Sequence, residues 1–165
     1  MRRIRIRFSF LCFNALLFCL CDGKMIASFY AVCLLHELGH IAALRFTGGE
    51  LRSVELSCFG IRMTAAPAAD VKRGAAVLLS GPAANLLLYA VLMLTGKCPE
   101  TASLSLAAGL FNLLPLSSLD GGALLDMLAE GSVRERQIQL CMKAVRIAAA
   151  GVLIALIAAE FAVII

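Results

Sequence analysis

The chain has 165 residues, of which 61% are hydrophobic and 16% charged, and its net charge is +4. Its mean hydropathy of +0.92 argues against a water-soluble single domain, and the composition excludes a disordered chain, collagen and a coiled coil. The seven cysteines form no CxxC pair and lie mostly within apolar runs, so we interpret them as small hydrophobic residues rather than a disulfide framework.

The apolar runs predict an all-α polytopic membrane protein with about five transmembrane helices in one membrane-embedded domain over residues 1–165. The predicted spans cover approximately 4–21, 25–46, 75–95, 102–128 and 147–165, and the fourth is discontinuous near 115–122. Residues 51–64 alternate partly between apolar and polar, which predicts a short β-hairpin between spans two and three. We expect no PDZ or CBS domain.

The first apolar run, from Phe8 to Cys21, follows four arginines. A basic segment before a short apolar run is also typical of a signal peptide. Because no small-x-small cleavage pattern precedes Asp22, we interpret the run as a retained span that begins near Ile4.

The basic residues are unevenly distributed over the predicted loops. Thirteen of the 15 lie in the N-terminal tail, between spans two and three, or before span five, whereas Lys24 and Lys97 fall on the opposite side. By the positive-inside rule, this distribution predicts a cytoplasmic N-terminus and an external C-terminus.

Span two contains the segment His36-Glu37-Leu38-Gly39-His40, which includes both histidines of the chain. Residues four apart project from one helix face, so the two imidazoles could bind one zinc ion while Glu37 acts as a base on water. Alternatively, these residues could be hydrogen-bonded between helices without a metal. Burying a charged group in a membrane costs about 2.5–3.5 kcal/mol. A zinc site returns about 10 kcal/mol or more, so we favour the metal.

A catalytic zinc site usually has three protein ligands, and Asp120 in the broken fourth span is the candidate third ligand. Pro115 and the Gly121-Gly122 pair interrupt the helix around it, and such interruptions are tolerated in a membrane only where the backbone faces protein or water. The alternative role of Asp120 is to cap the helix that follows. By the rise per residue, the site is expected nearer the cytoplasmic side.

Together these motifs resemble the site-2 protease family of intramembrane zinc metalloproteases, which pair an HExxH helix with a later LDG loop. The matching elements are His36 to His40, Ser80-Gly81-Pro82-Ala83-Ala84-Asn85, Asn112-Leu113-Leu114-Pro115 and Leu119-Asp120-Gly121. The chain is most similar to the small bacterial sporulation-type subgroup, whose members process regulatory precursors such as a pro-sigma factor. Asn112 is implied to contact substrate near the metal, or alternatively to satisfy carbonyls freed by Pro115. We interpret Gly81, Pro82 and Asn85 as packing and kink residues.

The resemblance implies a zinc metalloendopeptidase in which Zn²⁺ is held by His36, His40 and Asp120, and Glu37 is the general base. The expected partners are a membrane-spanning or membrane-associated substrate (pro-sigma or anti-sigma factor processing being one example), the lipid bilayer and a membrane regulatory partner, but no nucleic acid. The hairpin could accept an extended substrate as an added strand, or it could simply close the cavity. Rival hypotheses are a zinc-transporting or zinc-sensing membrane protein and an inactive protease homologue.

Overall fold

The computed structural model describes residues 3–57, 60–65, 70–130 and 135–164, and these are mostly helical. The chain divides into two compact units, Met1–Phe111 and Asn112–Ile165. In chain order the described elements are β1 (Arg3–Ile6), α1 (Phe8–Leu20), α2 (Gly23–Phe46), β2 (Leu51–Ser57), β3 (Gly60–Ala65), α3 (Val71–Thr95), α4 (Pro99–Asn112), α5 (Asp120–Ala129) and α6 (Glu135–Ile164).

The N-terminal segment differs from the predicted first span. Residues 3–6 form strand β1, and α1 begins at Phe8 rather than near Ile4. β1 pairs in parallel with β2, from Arg3 opposite Ser53 to Ile6 opposite Leu56. Because arginine and isoleucine alternate with a period of two, this segment suits a strand better than a helix.

The predicted β-hairpin is confirmed, and it belongs to a three-stranded sheet in the order β1-β2-β3. β2 and β3 are antiparallel, with Val54 opposite Met63 and Leu56 opposite Ile61. β2 is therefore paired along both edges. Among the described residues, the outer edges of the sheet belong to β1 and β3.

Helices α2 and α3 begin where a carboxylate caps their free N–H groups. Asp22 accepts a hydrogen bond of 2.8 Å from the Met25 N–H, and Asp70 accepts one of 3.0 Å from the Lys72 N–H. The two helices have 24 and 25 residues, so they start slightly before the predicted spans. By length and composition, they are the two described helices able to cross a membrane.

Helix α2 contains two glycines, and one of them, Gly39, lies directly against α3. A Cβ atom at this position would lie 2.6 Å from the Ser80 carbonyl oxygen and 3.1 Å from the Ala84 Cβ. Only glycine leaves room for the two backbones here, as small residues do at many helix contacts in membranes.

Helix α4 packs in the first unit through a face of small residues. Ala102, Ser105 and Gly109 are buried, and their spacing of three and four residues places them on one face. The Ser105 hydroxyl donates a hydrogen bond of 2.8 Å to the Asn85 carbonyl oxygen of α3. The Ser28 and Thr101 hydroxyls lie 2.9 Å apart and link α4 to α2.

The predicted discontinuity of the fourth span is confirmed, because α4 ends at Asn112 and the next helix begins at Asp120. The glycine pair lies inside α5, whereas the sequence analysis placed it within the interruption. Cβ atoms at Gly121 and Gly122 would collide with the carbonyl groups of Leu113 and Leu116, respectively. The two glycines therefore let the connecting segment fold back against the start of α5.

The last helix is also longer than the predicted fifth span. α6 runs from Glu135 to Ile164, whereas the span was predicted to begin near residue 147. Its first turns carry charged residues that the sequence placed in a loop.

Replacing Gly39 tests the close approach of α2 and α3. We expect Gly39→Ala to lower the free energy of unfolding by about 1–3 kcal/mol, because the added methyl group meets backbone atoms that cannot move independently. Thermal unfolding in detergent measures the effect. Gly23→Ala is the matched control on the same helix, since a Cβ there meets nothing within 4 Å. Equal stability of the two variants would contradict this packing.

Candidate metal centre

His36 and His40 stand side by side on α2, as their spacing predicts. Both are buried, with 7% and 8% of their surface exposed. Their Nε2 atoms are 3.1 Å apart, and the ring planes are inclined by 80°. The two inner nitrogens therefore face a common point beside the helix.

The outer nitrogen of His40 is held by the backbone of α3. Its Nδ1 lies 2.7 Å from the Val77 carbonyl oxygen, which also accepts a hydrogen bond of 2.6 Å from the Ser80 hydroxyl. Because a carbonyl oxygen only accepts, Nδ1 of His40 carries the hydrogen. In a neutral imidazole the lone pair is then on Nε2, the nitrogen that faces His36.

The outer nitrogen of His36 is held by a side chain of α3. His36 Nδ1 lies 3.3 Å from the amide nitrogen of Asn85, whose side chain is only 1% exposed. The sequence interpretation of Asn85 as a packing residue therefore missed a polar contact with a candidate ligand. The Gly-Pro-x-x-Asn element was the signal that could have indicated it.

Gly81 keeps open the space in front of the inner nitrogens. A Cβ atom at this position would collide with His40 Nε2 and lie 2.8 Å from His36 Nε2. Because Gly81 has no side chain, the space beside the two Nε2 atoms stays open. The sequence analysis interpreted Gly81 as a packing residue and did not predict this role.

The remaining predicted site residues occupy different parts of the chain. Glu37 is half-buried beside His36 on α2. Asn112 is the last residue of α4, and Asp120 is the first residue of α5; both are half-buried and belong to the second unit. The helix-capping residue is Leu119, so the alternative role of Asp120 as N-cap is wrong.

The imidazole pair fits a zinc ion. Two zinc–nitrogen bonds of about 2.0–2.1 Å at a tetrahedral angle separate the two nitrogens by roughly 3.3 Å. The observed separation of 3.1 Å is close to this value. Hydrogen bonds from the outer ring nitrogen to a protein acceptor are also typical of histidines that bind metals.

In the second unit, Arg146 of α6 ties together the segment around Asp120. Its guanidinium donates hydrogen bonds of 3.1 Å to the Pro115 carbonyl and 2.6 Å to the Asp126 carboxylate. A third, longer contact of 3.5 Å reaches the Gly122 carbonyl. Arg146 thus links α6 to both sides of the Asp120 position.

No protein-family model matches the sequence. A protein of Synechocystis sp. named "Putative zinc metalloprotease" is 33% identical over an alignment of 108 residues that covers 58% of this chain. The chain spans only 28% of the length of that relative.

The solved structure of a site-2 protease from Methanocaldococcus jannaschii matches with a TM-score of 0.67 and 20% sequence identity. The match covers 83% of this chain and 73% of that protein. The chain therefore has the site-2 protease fold, as the motifs predicted. Membership of the sporulation-type subgroup stays a prediction.

Replacing Gly81 tests whether the space beside the imidazoles holds a metal. We expect Gly81→Ala to lower zinc affinity at least tenfold, because its methyl group occupies the region that both Nε2 atoms face. Isothermal titration of the purified protein with zinc measures this. Gly109→Ala adds a methyl group at another buried helix contact, near the flexible Leu86 side chain, and should keep normal affinity. Normal zinc binding by Gly81→Ala would contradict the assigned position.

Replacing Arg146 tests the link between α6 and the segment around Asp120. We expect Arg146→Met to lower the free energy of unfolding by about 1–3 kcal/mol, because it leaves the Pro115 carbonyl and the Asp126 carboxylate without this donor. Chemical denaturation in detergent measures the loss. Arg136→Met replaces an exposed arginine of the same helix and should change stability little. If both variants unfold alike, Arg146 has no special structural role.

Proposed function

We propose that this chain is a membrane-embedded zinc metalloendopeptidase that cleaves membrane-spanning or membrane-associated proteins. The observation that carries the proposal is the buried imidazole pair, whose inner nitrogens lie 3.1 Å apart beside Gly81. The fold and the name of the Synechocystis relative support the same conclusion.

His36, His40 and Asp120 are the proposed zinc ligands. Two imidazoles and one carboxylate form a donor set that zinc accepts readily, and three protein ligands leave a fourth position for a reactant. In this proposal Asp120 is contributed by the second unit, where Arg146 holds the neighbouring Pro115 and Gly122 carbonyls.

The proposed chemistry is hydrolysis of a peptide bond. Bound zinc would supply a Lewis acid that polarises the scissile carbonyl and makes water more acidic. Glu37, next to His36, would take a proton from the attacking water and deliver it to the departing amine. Asn112, at the end of α4, is the proposed substrate contact.

The substrate must be extended to be cut. In a transmembrane helix each carbonyl is tied up in a hydrogen bond four residues along, so a helical peptide bond is a poor target. Because β2 is paired with both β1 and β3, an added substrate strand would pair with an outer edge of the sheet, and we propose β3. Backbone pairing would fix the register while making few demands on side chains.

We further propose that the protein lies in a bacterial cytoplasmic membrane with the site nearer the cytoplasmic side. The apolar lengths of α2 and α3 support a membrane location. The distribution of basic residues supports a cytoplasmic N-terminus. Regulatory precursor proteins anchored in that membrane are the proposed substrates.

A single substitution separates metal binding from catalysis. We expect Glu37→Gln to retain about one zinc per chain but to lose cleavage by at least a hundredfold, because the amide cannot accept the proton from water. Zinc content is measured by atomic absorption, and cleavage by gel analysis of tagged membrane substrates in the same vesicles.

Glu50→Gln is the matched control, since Glu50 is an exposed glutamate between α2 and β2. It should keep both zinc and cleavage. If Glu37→Gln cleaves as fast as wild type, Glu37 is not the base. If wild type binds zinc but cleaves none of a panel of membrane proteins, a zinc-sensing or transporting role replaces the protease proposal.

A further inference from the structure

The Asn85 amide is fully buried at the candidate metal centre, but one of its two polar atoms is unused. Its nitrogen faces His36 Nδ1 at 3.3 Å. Its oxygen, Oδ1, has no hydrogen-bond partner within the part of the chain that the structure describes. A buried acceptor without a donor is unfavourable, so its presence here needs a reason.

The hydrogen bonds around the two imidazoles indicate which nitrogen of each ring carries the hydrogen. His40 Nδ1 donates to the Val77 carbonyl, so the neutral ring accepts at Nε2. His36 Nε2 lies 3.1 Å from this atom. A neutral His36 with its hydrogen on Nε2 accepts at Nδ1, and the Asn85 amide nitrogen donates to it. The observed amide orientation therefore suits a metal-free site.

A metal ion requires a different tautomer of His36. Both Nε2 atoms must present a lone pair, so the hydrogen on His36 Nε2 has to move to Nδ1. The imidazole stays neutral and no proton is gained or lost overall. The Nδ1–H group would then point at the Asn85 amide nitrogen, which cannot accept it.

We propose that Asn85 is a positioning residue whose amide turns by 180° when zinc binds, so that Oδ1 accepts the hydrogen bond from His36 Nδ1–H. This inference rests on the proposed zinc site. Turning the amide exchanges the places of two atoms of similar size, and it brings the unused oxygen into a hydrogen bond. Asparagine serves both tautomers of His36 because it carries a donor and an acceptor on one side chain.

Other residues at position 85 would form a hydrogen bond with only one tautomer of His36, or with neither. An aspartate accepts from Nδ1–H but cannot donate, so it would keep His36 in the tautomer that binds metal. A leucine would hold neither tautomer and would leave the ring free to rotate. Losing such an outer hydrogen bond typically lowers metal affinity 10–100-fold.

The tautomer is observed directly by NMR of the full-length protein labelled with ¹⁵N-histidine in detergent micelles. The chain has two histidines, so His36→Gln assigns the His40 signals and leaves the rest to His36. We expect the hydrogen of His36 on Nε2 without zinc and on Nδ1 with zinc. The same tautomer in both samples would overturn the proposal.

Titration with Zn²⁺ and Co²⁺ provides the second test. We expect Asn85→Leu to bind both ions 10–100-fold more weakly than wild type, and Asn85→Asp to bind at least as tightly as wild type. Ser105→Ala is the matched control, because Ser105 is equally buried and its hydroxyl donates to the Asn85 backbone carbonyl and not to the Asn85 side chain. It should bind metal normally.

The outcomes separate the two proposals. If wild type binds no zinc, the proposed function fails, and this inference fails with it. If wild type binds zinc and Asn85→Leu binds it equally well, the zinc site stands and the role of Asn85 is refuted. Weak binding by Asn85→Leu together with rescue by Asn85→Asp supports the positioning role, since a purely structural loss would not be restored by a charged residue in a buried site.

Discussion

The close approach of α2 and α3 is the constraint on which the candidate centre depends. Gly39 allows the two backbones to meet, and Gly81 leaves the space that both inner nitrogens face. Because the helices lie so close together, the Val77 carbonyl and the Asn85 side chain of α3 reach the outer nitrogens of the histidines on α2. Larger side chains at either glycine would move the helices apart and remove these hydrogen bonds.

In the second unit, an irregular backbone segment between α4 and α5 has to be held in place. The helix is interrupted between residues 112 and 120, where Pro115 lies, so carbonyl groups there need donors from elsewhere. Arg146 of α6 donates to the Pro115 carbonyl within this segment and reaches the Gly122 carbonyl just after it, and it is itself paired with Asp126. A single cation thus stabilises the segment that carries the proposed third ligand.

The sequence predicted features that depend on local spacing. The i, i+4 rule predicted that His36 and His40 would face one point, and the alternation of residues 51–64 predicted the hairpin. Strand β1 was missed, because its residues were assigned to the N-terminal tail and the start of a membrane span, and its partner strand lies about fifty residues away. The contacts of Gly81 and Asn85 were missed for a similar reason. They arise between two helices, and the periodicity within one helix carries no information about them.

X-ray absorption at the zinc edge of the purified protein shows whether the two imidazoles of α2 bind zinc. We expect two imidazole nitrogens and further oxygen ligands at about 2.0–2.2 Å. The chain also has seven cysteines, so sulfur is a real alternative ligand. A zinc shell with sulfur at about 2.3 Å and no imidazole would show that His36 and His40 are not the ligands.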